Sequence, residues 1–219
     1  MNNELERQGG SNEDLIETNL FNRAKSLQQE AFKVIGKLEL PRNLSSIGIP
    51  RLIGSANNGL MVWRDVDYEV YVDQYRFERY VNFISHYANI PGVVEVGLTD
   101  FSVKNIHKSS TKGIYTHLLF QDSDQNDWKV DVWFLDFVPP DRSYEGLLKR
   151  ASRSEIDAIL NIKERMHTGP LYKKYIISVD IYSAVLEGNV RNFEEFGVYM
   201  KLHGKDVTLK VPPEQFEPS

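Results

Sequence analysis

The sequence predicts an α+β protein, in which helices flank a mixed β-sheet and the C-terminal part is helical. Two observations carry this prediction. Between residues 66 and 136, four segments alternate apolar with polar residues and are rich in β-branched and aromatic side chains, which is typical of strands. The stretches before and after them repeat apolar residues every three or four positions, which is typical of helices packed on one face.

The N-terminal part is predicted to be a helix from about residue 13 to 37, after a mobile first dozen residues. Ser11 or Asn12 is the expected N-cap, since acidic residues follow at once in the first turn. Residues 46–53 (SIGIPRLI) read as a short strand. Pro50 has no N–H for a ladder, so this strand is expected at a sheet edge or at a bulge.

The central part supplies the remaining strands and one crossing helix. Strands are predicted at 66–72 and 93–98, and the segment between them at 74–88 has a helical apolar face. Residues 114–121 and 128–136 flank the polar turn DSDQND and are predicted to form a β-hairpin.

Pro139 and Pro140 are expected to end the sheet region, which predicts two parts. Residues 1–139 would form the core together with the N-terminal helix. Residues 140–219 would form a helical region with a disordered tail from residue 211.

Three helices are predicted in the C-terminal region. Ser154 and Asp157 resemble a capping box at the start of the first. The second and third are expected at about 172–187 and 191–203.

Composition excludes several classes of function. The chain has 219 residues, 41% of them apolar, and a net charge of 26 − 31 = −5, which disfavours a protein that grips nucleic acid. The absence of cysteine excludes disulfides, cysteine zinc sites and cysteine nucleophiles. No apolar run approaches the roughly 18 residues needed to span a bilayer, and the polar N-terminus shows no secretory signal. The expected location is therefore cytoplasmic, without membrane attachment.

The most informative stretch is residues 54–72, in which a Gly-Ser pair and a second glycine precede two aspartates. Asp65 and Asp67 are two apart on a predicted strand, so their carboxylates share one face about 6.5–7 Å apart at Cα. Asp131 alternates with valines on a later strand, and the three carboxylates converge if the two strands are neighbours. Such an oxygen cluster suits Mg²⁺ or Mn²⁺.

Glycines allow backbone N–H groups to approach an anion closely. Gly54, Ser55 and Gly59 are therefore the candidate cradle for the phosphates of a nucleoside triphosphate. Taken alone, an Asp-x-Asp pair more often forms a turn or a helix cap than a metal site. A lone Gly-Ser pair is even weaker evidence for a functional site. The combination of both with a third aspartate favours the functional interpretation.

This combination resembles the nucleotidyltransferase superfamily typified by DNA polymerase beta. The residues that carry the resemblance are 54–59 (GSANNG), 65–67 (DVD) and 130–132 (VDV). The resemblance covers roughly residues 46–137 and implies a mixed-sheet nucleotidyltransferase core. Two departures are Pro50-Arg51, which interrupts the strand before Gly54, and Glu69, which we interpret as a surface acid.

The resemblance implies an enzyme that transfers a nucleoside monophosphate from a triphosphate, with ATP expected, to an acceptor hydroxyl, with loss of pyrophosphate. Asp65 and Asp67 would ligate two metals, Mg²⁺ or Mn²⁺, and Asp131 would ligate the catalytic metal. Arg64 is a candidate phosphate contact, although a salt bridge explains an arginine beside two acids equally well.

Further candidates lie in the C-terminal region, in PLYKKYIISVD and the residues after it. Lys173 and Lys174 are candidate triphosphate contacts, against the alternative of a solvated charge pair. Tyr172, Tyr175 and Tyr182 are candidates for stacking a nucleobase, against the alternative of core packing.

The acceptor is expected to be a small molecule or a protein, and the acidic charge suits a cationic acceptor. The alternative is a non-catalytic module, such as a partner in a toxin–antitoxin pair. A polymerase or tRNA-modifying enzyme needs a basic track, and the chain shows only scattered basic pairs. The oligomeric state stays open, with a homo-oligomer or a protein partner both compatible with the sequence.

Overall fold

The structure is a computed structural model that describes residues 12–102, 112–138 and 143–210. It contains a five-stranded mixed sheet with helices around it, which confirms the α+β prediction. The strands are β1 (Ile49–Ile53), β2 (Asp65–Tyr71), β3 (Val93–Asp100), β4 (Ile114–Gln121) and β5 (Asp127–Leu135). The helices in the described ranges are α1 (Asn12–Lys37), α2 (Leu40–Ser45), α3 (Gly54–Asn58), α4 (Phe77–Tyr87), α5 (Ser143–Leu148), α6 (Arg153–Met166), α7 (Ser178–Leu186) and α8 (Phe193–Leu202).

The strand order is β1-β2-β5-β4-β3, with β2 and β5 parallel and the other pairs antiparallel. The predicted hairpin is therefore present as β4 and β5. Strand β1 lies at the edge of the sheet, where the missing N–H of Pro50 does not break a central ladder. The parallel pairing of β2 with β5 brings the early and late aspartate motifs onto neighbouring strands.

The two faces of the sheet differ in chemistry because strand side chains alternate. One face carries the buried residues of β2, β4 and β5 and packs against α1, α2 and α4 in a first hydrophobic cluster. Val66, Val130 and Val132, which flank the aspartates in sequence, are 0% exposed there. The aspartates therefore project from the other face.

A second hydrophobic cluster joins α6, α7 and α8. It also includes Ala24 of α1 and the segment after α3, through Leu60 and Val62. The loop from α3 to β2 thus packs against the C-terminal helices. The predicted end of the sheet region at Pro139 and Pro140, the candidate N-cap Ser11 and the tail from residue 211 lie outside the described residues.

Two predictions of helix starts are wrong. The capping box of α6 is formed by Ser152 and Glu155, because Asp157 instead pairs with Arg153 one turn earlier. Helix α7 begins at Ser178 rather than near residue 172. Lys173 has a left-handed backbone with φ 64°, which is incompatible with a helix there. In the part of the chain that the structure describes, no helix is both long and apolar enough to cross a bilayer.

Candidate functional site

Three aspartates meet on the open face of the sheet. Asp67 of β2 lies directly beside Asp131 of β5 in the parallel register, and Asp65 is two residues earlier on β2. Each contributes a carboxylate oxygen, and these oxygens all lie within 4.8 Å of one another. The convergence expected from the sequence is therefore present in the structure.

Burial and mutual repulsion dominate the electrostatics of this group. Burial, with the neighbouring charges of Asp65 and Asp131, raises the pKa of Asp67 to about 7. Two ammonium groups offset part of the negative charge: Lys173 Nζ lies 2.5 Å from Asp65 Oδ2, and Lys129 Nζ lies 2.7 Å from Asp131 Oδ2. Three acids and two lysines thus share one small region.

The donor set fits a divalent cation. Asp65 is 5% exposed, and its Oδ2 accepts hydrogen bonds from Trp63 Nε1 and Lys173 Nζ. Its Oδ1 is buried without a hydrogen-bond partner among the described residues. A buried carboxylate oxygen without a partner is costly unless a cation is bound. Carboxylate oxygens are the ligands that Mg²⁺ and Mn²⁺ prefer.

Gly54 allows the chain to turn tightly against the aspartates. Strand β1 ends at Ile53, and Gly54 follows with φ 68°, a conformation that favours glycine. A Cβ built at Gly54 would lie 2.5 Å from Asp67 Oδ2. The position therefore has no space for a side chain, and Ser55 is placed in the next position, at the cavity wall.

Gly54→Ala is expected to displace the Asp67 carboxylate and to abolish Mn²⁺ binding. Gly59→Ala is the matched control, because Gly59 also has positive φ, of 72°, but its Cβ would meet Gln28 at 3.4 Å instead. Both variants should lose about 1–2 kcal/mol of unfolding free energy through backbone strain. Calorimetric Mn²⁺ titration separates them: equal Mn²⁺ affinity in the two variants would contradict this account.

Lys163 is a functional candidate that sequence reasoning missed. It is 0% exposed, and its Nζ donates hydrogen bonds to Ser55 Oγ at 2.6 Å and to the Leu60 carbonyl oxygen at 2.7 Å. Burial lowers the pKa of Lys163 to about 7. The sequence does indicate this burial, because Lys163 follows Ile159 by four residues and precedes Met166 by three, which places it on the buried face of α6.

The hydrogen bond from Lys163 also sets the role of the Ser55 hydroxyl. Lys163 Nζ donates here, so Ser55 Oγ accepts. The hydroxyl hydrogen of Ser55 is then directed to an acceptor, and in the structure this acceptor is the hydroxyl oxygen of Tyr182 on the cavity wall. This polarity suits a hydroxyl that donates to a phosphate oxygen.

The C-terminal region forms the opposite wall of the site. Lys173 lines the cavity with a side chain that is 48% exposed, together with Tyr172 and Tyr182. Tyr172 Oη lies 2.7 Å from Ser178 Oγ, which fixes the ring. Tyr175 is buried and its hydroxyl donates to the Gly204 carbonyl oxygen, so it packs away from this wall.

The walls enclose a cavity of about 720 Å³. This volume is within the range of sites for drug-sized ligands. Its described lining residues are Gly54, Ser55, Asn58, Trp63, Asp65, Asp67, Asp131, Trp133, Tyr144, Glu145, Leu148, Tyr172, Lys173, Ile177, Ser178, Val179 and Tyr182.

Two predicted phosphate contacts lie elsewhere in the structure. Arg64 pairs with Glu30 at 3.1 Å and lines a separate, smaller cavity. Gly59 ends α3 next to Gln28 and is not part of the lining of the cavity that contains Asp67. Their contact with a nucleotide stays a prediction.

The interpretation of Glu69 as a surface acid is wrong. Glu69 is 3% exposed, and its carboxylate accepts a hydrogen bond from the Tyr71 hydroxyl at 3.0 Å. It points to the same face as Asp67. The three-aspartate group does not include it.

Comparison with protein-family models and with curated proteins finds no match. Among solved structures, the chain is similar to a cytoplasmic RNA terminal U-transferase, with a TM-score of 0.52 and 15% sequence identity over 78% of this chain. The match covers 52% of the other chain, so this chain spans about half of that protein's length. The likeness shows the fold, and it confirms the nucleotidyltransferase fold that the sequence motifs predicted.

Proposed function

We propose that this protein is a metal-dependent nucleotidyltransferase. It transfers a nucleoside monophosphate from a nucleoside triphosphate to the hydroxyl of a small-molecule or protein acceptor. The observation that carries the proposal is the convergence of Asp65, Asp67 and Asp131 at the wall of a cavity that also contains Ser55. The similarity to a terminal U-transferase supports the same reaction class at the level of fold.

Asp65, Asp67 and Asp131 would hold two Mg²⁺ or Mn²⁺ ions. When bound, such a pair supplies charge stabilisation for the attacking and leaving oxygens of an in-line phosphoryl displacement. Ser55 donates its hydroxyl hydrogen to a phosphate oxygen, and the hydrogen bond from Lys163 Nζ orients that hydroxyl. Tyr172 and Tyr182 give the opposite wall flat apolar surface for a nucleobase.

We further propose a division of roles along the chain. Residues 1–139 provide the metal ligands and the Gly-Ser turn. Residues 140–219 provide the buried Lys163, the ammonium of Lys173 and the aromatic wall. The proposal assigns the protein to a compartment that contains nucleoside triphosphates, for which the cytoplasm is the expected one.

The proposal is tested by calorimetric titration of ATP with and without Mg²⁺. Wild-type protein is expected to bind ATP in Mg²⁺ and to lose this binding in EDTA. Lys173→Met should weaken Mg²⁺-dependent ATP binding by roughly 10–100-fold, since a charge-assisted hydrogen bond contributes about 1.5–3 kcal/mol. Lys174→Met is the matched control, because Lys174 is exposed and outside the described cavity lining.

Metal-independent ATP binding, or no ATP binding in Mg²⁺, would contradict the enzyme proposal. The second of these results favours the alternative, a protein-partner module that retains the nucleotidyltransferase fold. Purification of a stable complex from the native host would then identify that partner. An idle group of three acids would only add repulsion to the folded protein, which is why the enzyme is the better proposal.

A further inference from the structure

Asp131 has a hydrogen-bond donor on each of its two carboxylate oxygens. The hydroxyl of Tyr115, on β4, donates to Oδ1 at 2.7 Å, and Nζ of Lys129, two residues earlier on β5, donates to Oδ2 at 2.7 Å. Tyr115 reaches Asp131 because it pairs with Trp133 in the antiparallel register, which places it diagonal to Asp131 on the same face of the sheet. The two donors differ in how freely each can leave the carboxylate.

Tyr115 is held in place by its neighbours. Its ring is half-buried, and the ring centroid lies 5.1 Å from that of Trp133 and 5.8 Å from that of His117. The imidazole of His117 packs in turn over Gly97 of β3, where a Cβ would collide with it. The packed rings therefore keep the Tyr115 hydroxyl beside Asp131.

Lys129 is the donor that can move away. Its side chain is 44% exposed, whereas that of Asp131 is 14% exposed. A lysine has a flexible stem, and its ammonium group is strongly hydrated when it turns into solvent. A divalent cation competes with an ammonium group for carboxylate oxygens because both are positively charged, but it does not compete in this way with a neutral phenol. Lys129 is therefore the partner of Asp131 that a metal ion would displace.

A similar arrangement is present at Asp65. The indole Nε1 of Trp63 donates to Asp65 Oδ2 at 3.0 Å, and the Trp63 ring is stacked on His167 with the centroids 5.9 Å apart. Lys173 Nζ donates to the same oxygen from a side chain that is 48% exposed. Asp65 and Asp131 thus each have one donor on a packed aromatic ring and one on an exposed lysine. Fixed hydrogen-bond partners of this kind orient the ligands of metal sites.

We propose that Tyr115 is a positioning residue, which orients the Asp131 carboxylate for the divalent metal and stays hydrogen-bonded to it when Lys129 is displaced. This inference rests on the proposed nucleotidyltransferase function. The phenol hydroxyl restricts rotation of the carboxylate without adding a positive charge among the acids. A carboxylate that is already oriented loses less conformational freedom when the metal binds, so the hydrogen bond from Tyr115 strengthens metal binding.

Calorimetric Mn²⁺ titration of Tyr115→Phe tests this role. The substitution removes the hydroxyl and keeps the ring packed against Trp133 and His117, and Mn²⁺ affinity should fall roughly 10–100-fold. Tyr71→Phe is the matched control, because the Tyr71 hydroxyl also donates to a carboxylate, that of Glu69, which does not belong to the three-aspartate group. Tyr71→Phe should bind Mn²⁺ as wild type does.

Two further measurements separate positioning from a general effect on the fold. Lys129→Met should tighten Mn²⁺ binding about 2–5-fold, because it removes a partly exposed competitor of the metal for Asp131. In an Asp131→Ala background, whose weaker Mn²⁺ binding is followed by the EPR signal of the free ion, Tyr115→Phe should have no further effect. A tyrosine that only packs the sheet would lower the unfolding free energy in EDTA and leave Mn²⁺ affinity unchanged.

The outcomes distinguish this role from the proposed function. If wild type binds Mn²⁺ and Tyr115→Phe binds it equally well, the positioning role is wrong and the proposed function stands. The role is also wrong if Tyr115→Phe weakens Mn²⁺ binding as much in the Asp131→Ala background as in wild type, or if Lys129→Met weakens it. If wild type binds no Mn²⁺, the proposed function fails and the inference that rests on it fails with it.

Discussion

Asp67→Asn is expected to abolish Mg²⁺-dependent ATP binding and, at the same time, to stabilise the metal-free protein. Asp67 is the most crowded of the three acids, since burial and the charges of Asp65 and Asp131 raise its pKa to about 7. The amide keeps the shape of the side chain but removes the negative charge. It therefore removes a metal ligand and a source of repulsion together.

The loss of metal affinity and the gain in stability both arise from removal of the negative charge of Asp67. Loss of one shared metal ligand should reduce affinity for Mn²⁺ at least about 100-fold. Relief of repulsion should raise the unfolding free energy of the metal-free protein by about 2 kcal/mol, or its Tm by roughly 4–8 °C. Thermal scans in EDTA measure the change in stability of the metal-free protein. The rise in Tm on addition of Mn²⁺ measures the change in metal affinity.

The pH dependence has a defined sign. A carboxyl group whose folded pKa is raised binds more protons in the folded state, so stability falls as pH rises from about 4 to about 7. Asp67→Asn removes this fall. Asp73→Asn, at an exposed residue just after β2, is the matched control and should behave as wild type. A destabilised metal-free Asp67→Asn protein would show that the three acids do not repel one another.

Lys163→Met is expected to weaken ATP binding roughly 10-fold, although Lys163 does not line the cavity. Lys163 Nζ donates a hydrogen bond to Ser55 Oγ, and the loss of this donor frees the hydroxyl to rotate. A lost hydrogen bond of about 1.4 kcal/mol corresponds to this factor. Methionine has nearly the volume of the lysine stem, so the buried space stays filled.

Lys163 also predicts how stability depends on pH above neutrality. Burial lowers its folded pKa from 10.5 to about 7, so between these values the unfolded chain binds more protons than the folded protein. Unfolding free energy should therefore rise with pH from about 7 to 10, by about 3 kcal/mol from this residue. A neutral amine still has two N–H donors for Ser55 and the Leu60 carbonyl oxygen.

Urea unfolding at a series of pH values tests this assignment. The rise should be present in wild type and in Lys149→Met, which changes an exposed lysine after α5, and absent in Lys163→Met. Identical pH profiles for all three proteins would show that Lys163 is charged in the folded state. In that case the charge of Lys163, rather than a neutral amine, would hold Ser55.

The aspartate triad was predictable because it depends on two simple regularities. Alternation along a strand places Asp65 and Asp67 on one face, and valines on both sides of Asp131 mark it as the polar position of a buried strand. The nucleotidyltransferase fold then followed from the resemblance of these motifs. The sequence did not show whether β2 and β5 are neighbours, and the strand order shows that they are.

Other parts of the site depend on contacts that no local pattern encodes. Lys173 reaches Asp65 only because residue 173 adopts a left-handed conformation before α7, where apolar periodicity suggested a continuous helix. The contact between the rings of Tyr115 and Trp133 depends on the register between β4 and β5. Glu69 is buried where β2 lies between β1 and β5, with Arg51 and Trp133 as its register partners. Each of these features is set by tertiary packing rather than by sequence spacing.

Asp65, Asp67 and Asp131 together are expected to bind the divalent metals that a nucleoside triphosphate requires. Anomalous diffraction from crystals soaked with Mn²⁺ and a non-hydrolysable ATP analogue measures this directly. We expect manganese peaks among the three carboxylates, with the triphosphate beside Ser55. Manganese peaks confined to other sites, with a bound triphosphate and no metal among these carboxylates, would contradict it.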